Sequence, residues 1–122
     1  FLSAAECDAR YLNIELNPNL CLYFGFGTGR VDRMRLLLPG GGKTLNACCE
    51  RTATGWDVAY ELPFKLLQLF FPDFSPSGKI RGNFYKCGDL TAQEHYLAWN
   101  RVDAGHPDFH LPAYFGELCF SD

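Results

Sequence analysis

The residues best suited to chemistry lie towards the C-terminal end of the chain, around Trp99. Trp99 follows an alternating strand pattern and precedes an irregular loop, so its indole is expected at the end of a strand, partly exposed. A flat apolar ring beside amide and charged groups can hold a sugar, because the aliphatic face of a pyranose lies on the ring while its hydroxyls reach the polar rim. The candidates for that rim are Asn100, Asn83, Lys86, Glu94 and Arg30. The structural alternative is that Trp99 seals one end of the fold.

The sequence contains no pattern that indicates catalysis. A glycosidase needs two carboxyl groups held across one cleft, and the spacing of the acidic residues does not reveal such a pair. No serine or cysteine lies in a nucleophile elbow. PGGGKT lacks the first glycine of a phosphate-binding loop and precedes a strand-like segment, and GFGTGR has its third glycine misplaced for a dinucleotide fingerprint. We therefore expect a protein that is not an enzyme.

Metal and cofactor sites are not expected either. His106 and His110 are four residues apart, but Pro107 and Pro112 make a helix that would align them improbable. No CxxC pair occurs among the six cysteines. Cys21, Cys87 and Cys119 lie in apolar strand patterns, which predicts buried, reduced thiols and favours a cytoplasmic location, although secretion is not excluded.

Composition limits the class of partner. With 122 residues, 48% of them hydrophobic, the chain suits one globular domain. Its net charge of −3 gives no general attraction for nucleic acid, and no apolar run is long enough for a membrane helix. Neither nucleic acid nor membrane is expected as a partner.

The elements that must position these residues are mainly strands. Residues 9–16 and 20–26 alternate as two strands joined by the turn Asn17-Pro18-Asn19, and further strands are predicted at 34–38, 43–51, 55–64, 80–87, 95–99 and 114–120. One short helix is predicted at about 64–70, after Pro63. Sequential strands with short turns predict an all-β, antiparallel β-sandwich.

Several motifs resemble the C-terminal part of family 9-like carbohydrate-binding modules: YLNIELNPN, FGFGTGRVDR, NFYKCGD, HYLAWN, PDFHLPAYFG and ELCF. The resemblance covers nearly the whole chain and implies a jelly-roll or immunoglobulin-like sandwich. It matches Trp99 to a sugar-stacking position and Trp56 to a core position, and it places Phe109 in the core and His110 on backbone groups.

The resemblance also implies a second aromatic residue that sandwiches the sugar. Tyr23, Tyr85 and Tyr96 are candidates, or the residue lies upstream. The chain is interpreted as one domain, 1–122, that lacks N-terminal strands, so one sheet edge is expected to be open to a partner chain or a second copy.

The sequence therefore predicts non-catalytic binding of a mono- or oligosaccharide, without a cofactor. The alternative is a structural or interaction β-sandwich that has lost the sugar site. A haem-binding relative of the same sandwich is a weaker alternative, because Met34 is the only methionine and has no evident axial partner.

Overall fold

The computed structural model of the protein describes residues 1–4, 8–77 and 79–120. Every strand pairing within them is antiparallel, and the fold is an all-β sandwich with one short helix, as predicted. The elements, in chain order, are β1 (Leu2–Ser3), β2 (Tyr11–Leu16), β3 (Leu22–Gly27), β4 (Arg33–Leu36), β5 (Cys48–Arg51), β6 (Trp56–Ala59), α1 (Phe64–Phe70), β7 (Lys79–Gly82), β8 (Tyr85–Gly88), β9 (His95–Ala98) and β10 (Gly116–Cys119), with 3₁₀ turns at Gly41–Leu45 and Pro112–Tyr114.

The main sheet has six strands in the order β10-β7-β1-β2-β3-β4. Two hairpins, β5-β6 and β8-β9, form separate two-stranded sheets. The short strand β1 lies inside the main sheet and joins β2 to β7, so segments far apart in the sequence become neighbours.

The β2-β3 hairpin forms where the sequence predicts it. Its turn is closed by the side-chain oxygen of Asn17, which accepts the backbone N–H groups of Asn19 and Cys21, each at 3.0 Å. Leu20 in this turn has a positive φ of 60°. The asparagine therefore supplies hydrogen bonds that the tight turn cannot obtain from strand pairing.

One face of the main sheet forms the hydrophobic core. Leu12 pairs with Phe26 in the sheet register, and both are buried against Leu67 of helix α1 and against Phe71. The rings of Phe26 and Phe71 meet edge to face at 5.6 Å. Helix α1 spans the predicted residues because its apolar side chains cover the apolar face of the sheet.

The opposite face carries the alternate residues of the same strands. Tyr11, Asn13 and Glu15 of β2 point away from the helix, as the two-residue period of a strand requires. Tyr11 and Asn13 are buried there, which shows that this face is covered too.

The prediction of one strand from Ile80 to Cys87 is wrong. The chain leaves the main sheet after Gly82 and enters the β8-β9 hairpin at Tyr85. The intervening Asn83 bonds to residues outside either strand, as described below. The alternating pattern did not reveal this bend, because the residues before it and the residues after it each alternate as a strand would.

Several other strand boundaries differ from the prediction; β6, for example, ends at Ala59. Two of the differences lie at 3₁₀ turns. Residues 41–45 form a 3₁₀ turn rather than the start of a strand, since Gly40 and Gly41 have positive φ angles of 81° and 57°. The last strand begins at Gly116 rather than Tyr114, after the 3₁₀ turn that opens with Pro112.

The described cysteines are free, but the prediction that they are buried is wrong. Cys21, Cys87 and Cys119 are exposed, because they occupy positions that face away from the core. Cys7 lies outside the described residues. In the described part of the chain, the helices lack the length and apolarity needed to cross a bilayer.

Truncation of the core should be costly where it is fully enclosed. Leu12→Ala is expected to lower the free energy of unfolding by about 2–5 kcal/mol, because it removes buried methyl groups and leaves a cavity. Leu37→Ala is the matched control, since Leu37 is 84% exposed. Urea denaturation of both variants measures the difference, and equal losses would contradict the assigned core.

Candidate functional site

A cleft of about 690 Å³ opens between the polar face of the main sheet and the two hairpins. Strand β2, the β3-β4 loop, strand β6, strand β8 and the loop before Pro112 all contribute to its walls. The residues that bear on function are Glu15, Arg30, Arg33, Trp56, Tyr60, Phe84, Tyr85, Lys86, Phe109 and His110. The cleft thus combines large aromatic surfaces with groups that donate and accept hydrogen bonds.

The aromatic wall is built around Tyr85 at the start of β8. Its ring stacks on Phe109, with centroids 4.3 Å apart and planes 15° from parallel. The exposed ring of Phe84 lies beside it in the chain and also lines the cleft. The expectation that Phe109 packs in the core is wrong: it is half-buried and packs on Tyr85 at the cleft.

Trp56 lies in the cleft, and the expectation that it packs in the core is also wrong. It begins β6, where Trp56 and Val58 share one half-buried face of the strand. The core cluster against helix α1 does not include Trp56. Trp56, like Trp99, is an indole at the end of a strand beside a turn, and its position after Gly55 is a sequence signal that could have identified it.

Charged side chains line the same cleft. Arg30, in the β3-β4 loop, and Lys86, in strand β8, were both named from the sequence, and both line it. Arg30 Nη2 lies 3.0 Å from Asp108 Oδ1, and the Arg30 side chain remains 60% exposed in this ion pair. Lys86 is exposed, and its amine contacts the imidazole of His95. Glu15, whose carboxylate accepts a 3.0 Å hydrogen bond from Asn13, contributes the opposite charge.

His110 forms the inner part of a polar network. The hydroxyl of Tyr11 lies 2.8 Å from Nδ1 of His110, and Arg33 Nη1 lies 3.0 Å from the same atom and 2.5 Å from the side-chain oxygen of Asn13. Arg33 Nη1 also lies 3.2 Å from Nε2 of the ring. Because a guanidinium group can only donate, the contact suits a neutral imidazole, in which one ring nitrogen is an acceptor. The expectation of backbone partners for this ring is wrong, because its partners are side chains.

Electrostatics keep His110 neutral. Burial first, and then the positive charges of Arg33 and Arg30, lower the pKa of His110 from its ordinary 6.5 to about 4, while Asp108 opposes the shift. Burial also raises the pKa of Tyr11 to about 12, so its hydroxyl remains protonated as a donor.

Asn83 and Asn100 do come together, but as a structural pair. Asn83 is 1% exposed, and its amide nitrogen donates to the carbonyl oxygens of Asn100 at 2.8 Å and Tyr114 at 3.2 Å. Its side-chain oxygen accepts the backbone N–H of Asn100 at 2.8 Å. Asn100 in turn donates its side-chain amide to Tyr114 at 2.8 Å. Asn83 therefore lines the cleft together with Arg30 and Lys86, but its amide is committed to protein partners.

Trp99 is exposed but does not line the cleft. Its side chain is 55% exposed, and its ring meets Phe84 edge to face at 5.8 Å. A Cβ atom at Gly116 would lie 2.8 Å from the indole, so only glycine permits this approach. Trp99 therefore packs behind Phe84, whose own ring faces the cleft.

The remaining predicted residues are dispersed. Glu94 is exposed and accepts a 2.8 Å hydrogen bond from Tyr96. Tyr96 lines a second, shallower cleft of about 450 Å³ on the far side of the loop that carries Phe109. Tyr23 lies between the guanidinium groups of Arg33 and Arg35, at 5.2 and 5.4 Å from its ring. Of the three tyrosine candidates, Tyr85 lines the larger cleft.

Across the residues that the structure describes, no three His, Cys, Asp or Glu side chains converge as a metal site would require. The larger cleft instead offers aromatic faces, fixed guanidinium and amine groups, and one carboxylate. Such a surface is suited to holding a polyhydroxylated ligand of moderate size.

An antiparallel β-sandwich with an aromatic and polar cleft is the form of a small ligand-binding module. The family model of carbohydrate-binding family 9 matches residues 1–120, and the chain belongs to that family. The predicted resemblance is confirmed.

A solved structure supports the same assignment. It is a protein from Bacteroides uniformis ATCC 8492 that is provisionally named carbohydrate-binding, is 26% identical to this chain and superposes with a TM-score of 0.74. The match covers 98% of this chain and 59% of the other protein. No curated protein sequence matches the chain significantly.

The neutral state of His110 predicts a pH dependence of stability. The unfolded chain binds a proton at His110 near pH 6.5 and the folded chain only near pH 4, so this contribution to stability is fully present above pH 6.5 and is lost as the pH falls towards 4. His110→Gln should flatten the slope of unfolding free energy against pH in that interval.

The exposed His106 provides the matched control for this measurement. Denaturant titrations at a series of pH values should show the wild-type slope in His106→Gln. A wild-type slope retained in His110→Gln would contradict the assigned environment of the ring.

Proposed function

We propose that the chain binds carbohydrate without catalysis, and that the sugar ring lies in the 690 Å³ cleft against Trp56. Family membership supports carbohydrate as the ligand class. The observation that carries the proposal is the presence of Trp56, Arg30 and Lys86 on the walls of one cleft. An indole provides an apolar face for the C–H groups of a pyranose, and the charged groups hydrogen-bond its hydroxyls.

The shape of the cleft fits a small saccharide. Its volume is within the range of ligand pockets, and its open side leaves part of the ligand in solvent. Because an open site buries limited apolar area, we expect dissociation constants of about 1 µM to 1 mM. The network of Tyr11, Arg33 and His110 holds one wall in place before ligand binds, which reduces the entropy lost on binding.

We propose that the chain does not catalyse hydrolysis because of the charged groups that line the cleft. Hydrolysis of a glycosidic bond ordinarily needs an acid and a second carboxylate on opposite sides of the bond. Among the described residues that line the cleft, Glu15 supplies the carboxylate, and Asp108 lies behind Arg30.

Trp99 remains the second candidate platform, since its indole is exposed and separated from the cleft by Phe84. Asn100 and Glu94, which lie near it in sequence, would then contribute the polar rim. This arrangement lacks a concave wall among the described residues around the ring, and we therefore place the sugar at Trp56.

The two tryptophans can be distinguished by substitution. Trp56→Ala should weaken binding of any glycan identified on an array by at least about tenfold, because it removes the stacking surface. Trp99→Ala is the matched control and should change the dissociation constant less than about threefold. Isothermal titration calorimetry measures both, with thermal unfolding to confirm the fold.

The opposite pattern would transfer the stacking role to Trp99. Unchanged binding in both variants, or an array without any bound glycan at high protein concentration, would contradict the proposed function.

A second candidate function is self-association through the edge of the main sheet. In the described part of the chain, β4 pairs with β3 on one side, and its other side is open. Val31, Met34 and Leu37, in and around β4, are exposed apolar residues. Open strands with apolar side chains favour pairing with a second copy.

Sedimentation velocity tests this second candidate. A dimer that forms as concentration rises should dissociate in Met34→Lys, because a charge at the open strand opposes edge pairing. Lys65→Glu, on helix α1 rather than on the open strand, is the control and should leave the dimer unchanged. A wild-type protein that stays monomeric at high concentration would contradict it.

A further inference from the structure

We propose that the cleft selects acidic saccharides, meaning sugars that carry a carboxylate or a sulfate group. This inference rests on the proposed function and names its class of ligand. The whole chain has more acidic than basic residues, with a net charge of −3. The cleft reverses that balance, since Arg30, Arg33 and Lys86 line it together with one acidic residue, Glu15.

The positive groups differ in their availability. Arg33 is engaged with Asn13 and His110 and acts mainly through its charge. Arg30 uses Nη2 on Asp108, and a guanidinium group has further N–H donors. Lys86 is exposed, and its amine, which contacts His95, has further N–H donors. Arg30 and Lys86 are therefore the groups that can contact an anion directly. Arginine can bind a carboxylate or sulfate with two parallel N–H donors, and lysine binds it as a compact charge.

The negative groups nearby reduce this field without reversing it. Glu15 and Asp108 carry two negative charges against the three positive charges of Arg30, Arg33 and Lys86. Burial is the main cause of the lowered pKa of His110, and the charges of Arg33 and Arg30 lower it further, while Asp108 opposes them.

The aromatic groups provide the surface on which the ring of an acidic sugar can stack. Trp56, Phe84 and Tyr85 present rings in the same cleft, so a pyranose that stacks on one of them can direct a substituent towards Arg30 or Lys86. The hydroxyls of a neutral sugar would accept hydrogen bonds from Arg30 and Lys86, but they would bring no opposite charge. The added charge-assisted hydrogen bond should favour the acidic form.

The experiment compares ligands that differ only in charge. A glycan array containing neutral, uronate-containing and sulfated saccharides should give its strongest signals with the acidic classes. Calorimetry should then show that a galacturonate oligosaccharide binds at least about tenfold more tightly than its neutral methyl ester. Galactose 6-sulfate, against galactose, shows whether a sulfate group serves as well as a carboxylate.

Two further measurements test whether the charged groups of the cleft cause this selectivity. Lys86→Gln and Arg30→Gln should reduce the preference for the acid over its methyl ester by at least about threefold, whereas Lys65→Gln, on helix α1 at the opposite face, should retain it. Raising the salt concentration should weaken binding of the acid and leave the ester unaffected.

The outcomes separate this inference from the proposed function. Acidic ligands preferred by the wild type but not by Lys86→Gln support the inference. Equal binding of acid and ester, or signals confined to neutral glycans, would overturn it and leave carbohydrate binding intact. An array blank for every class overturns both.

Discussion

Alternation of side chains along β2 is the constraint on which the rest of the structure depends. Leu12 enters the core with Phe26, whereas its neighbours Tyr11 and Asn13 are buried on the opposite face. A shift of one residue in the register with β3 would exchange these two sets and place polar groups against helix α1. The core and the cleft are therefore two consequences of one strand register.

Arg33 connects this register to the site. It lies at the start of β4 and pairs with Gly27 of β3. Gly27 has no side chain, and a Cβ atom added to it would lie only 2.4 Å from the Cα and Cβ atoms of Arg33. This close packing of strand on strand brings the guanidinium group to Asn13 and His110. The wall of the cleft is thus held by hydrogen bonds between buried groups, which is how a binding surface becomes preorganised.

Local sequence patterns predicted much of the fold. The β2-β3 hairpin and helix α1 each depend on residues close together in the chain: the Asn17 turn in one case, and Pro63 before an apolar stretch in the other. Arg30 and Lys86 were identified as candidate binding residues from their type and nearness to motifs, and the structure brings both to one cleft. The burial of the cysteines could not be predicted in this way, because an apolar pattern in a strand does not indicate which face of the strand is covered by other residues.

The sequence by itself determined the family, the antiparallel strands and the aromatic and polar residue types available for a site. Only the tertiary structure decided which of those residues meet. Asn83 lines the cleft, but its amide is bonded to Asn100 and Tyr114, and Trp56 rather than Trp99 came to line the cleft. The physical reason is that spacing along the chain specifies local geometry, whereas a cleft is formed by segments from distant parts of the chain whose separation depends on how the sheets pack.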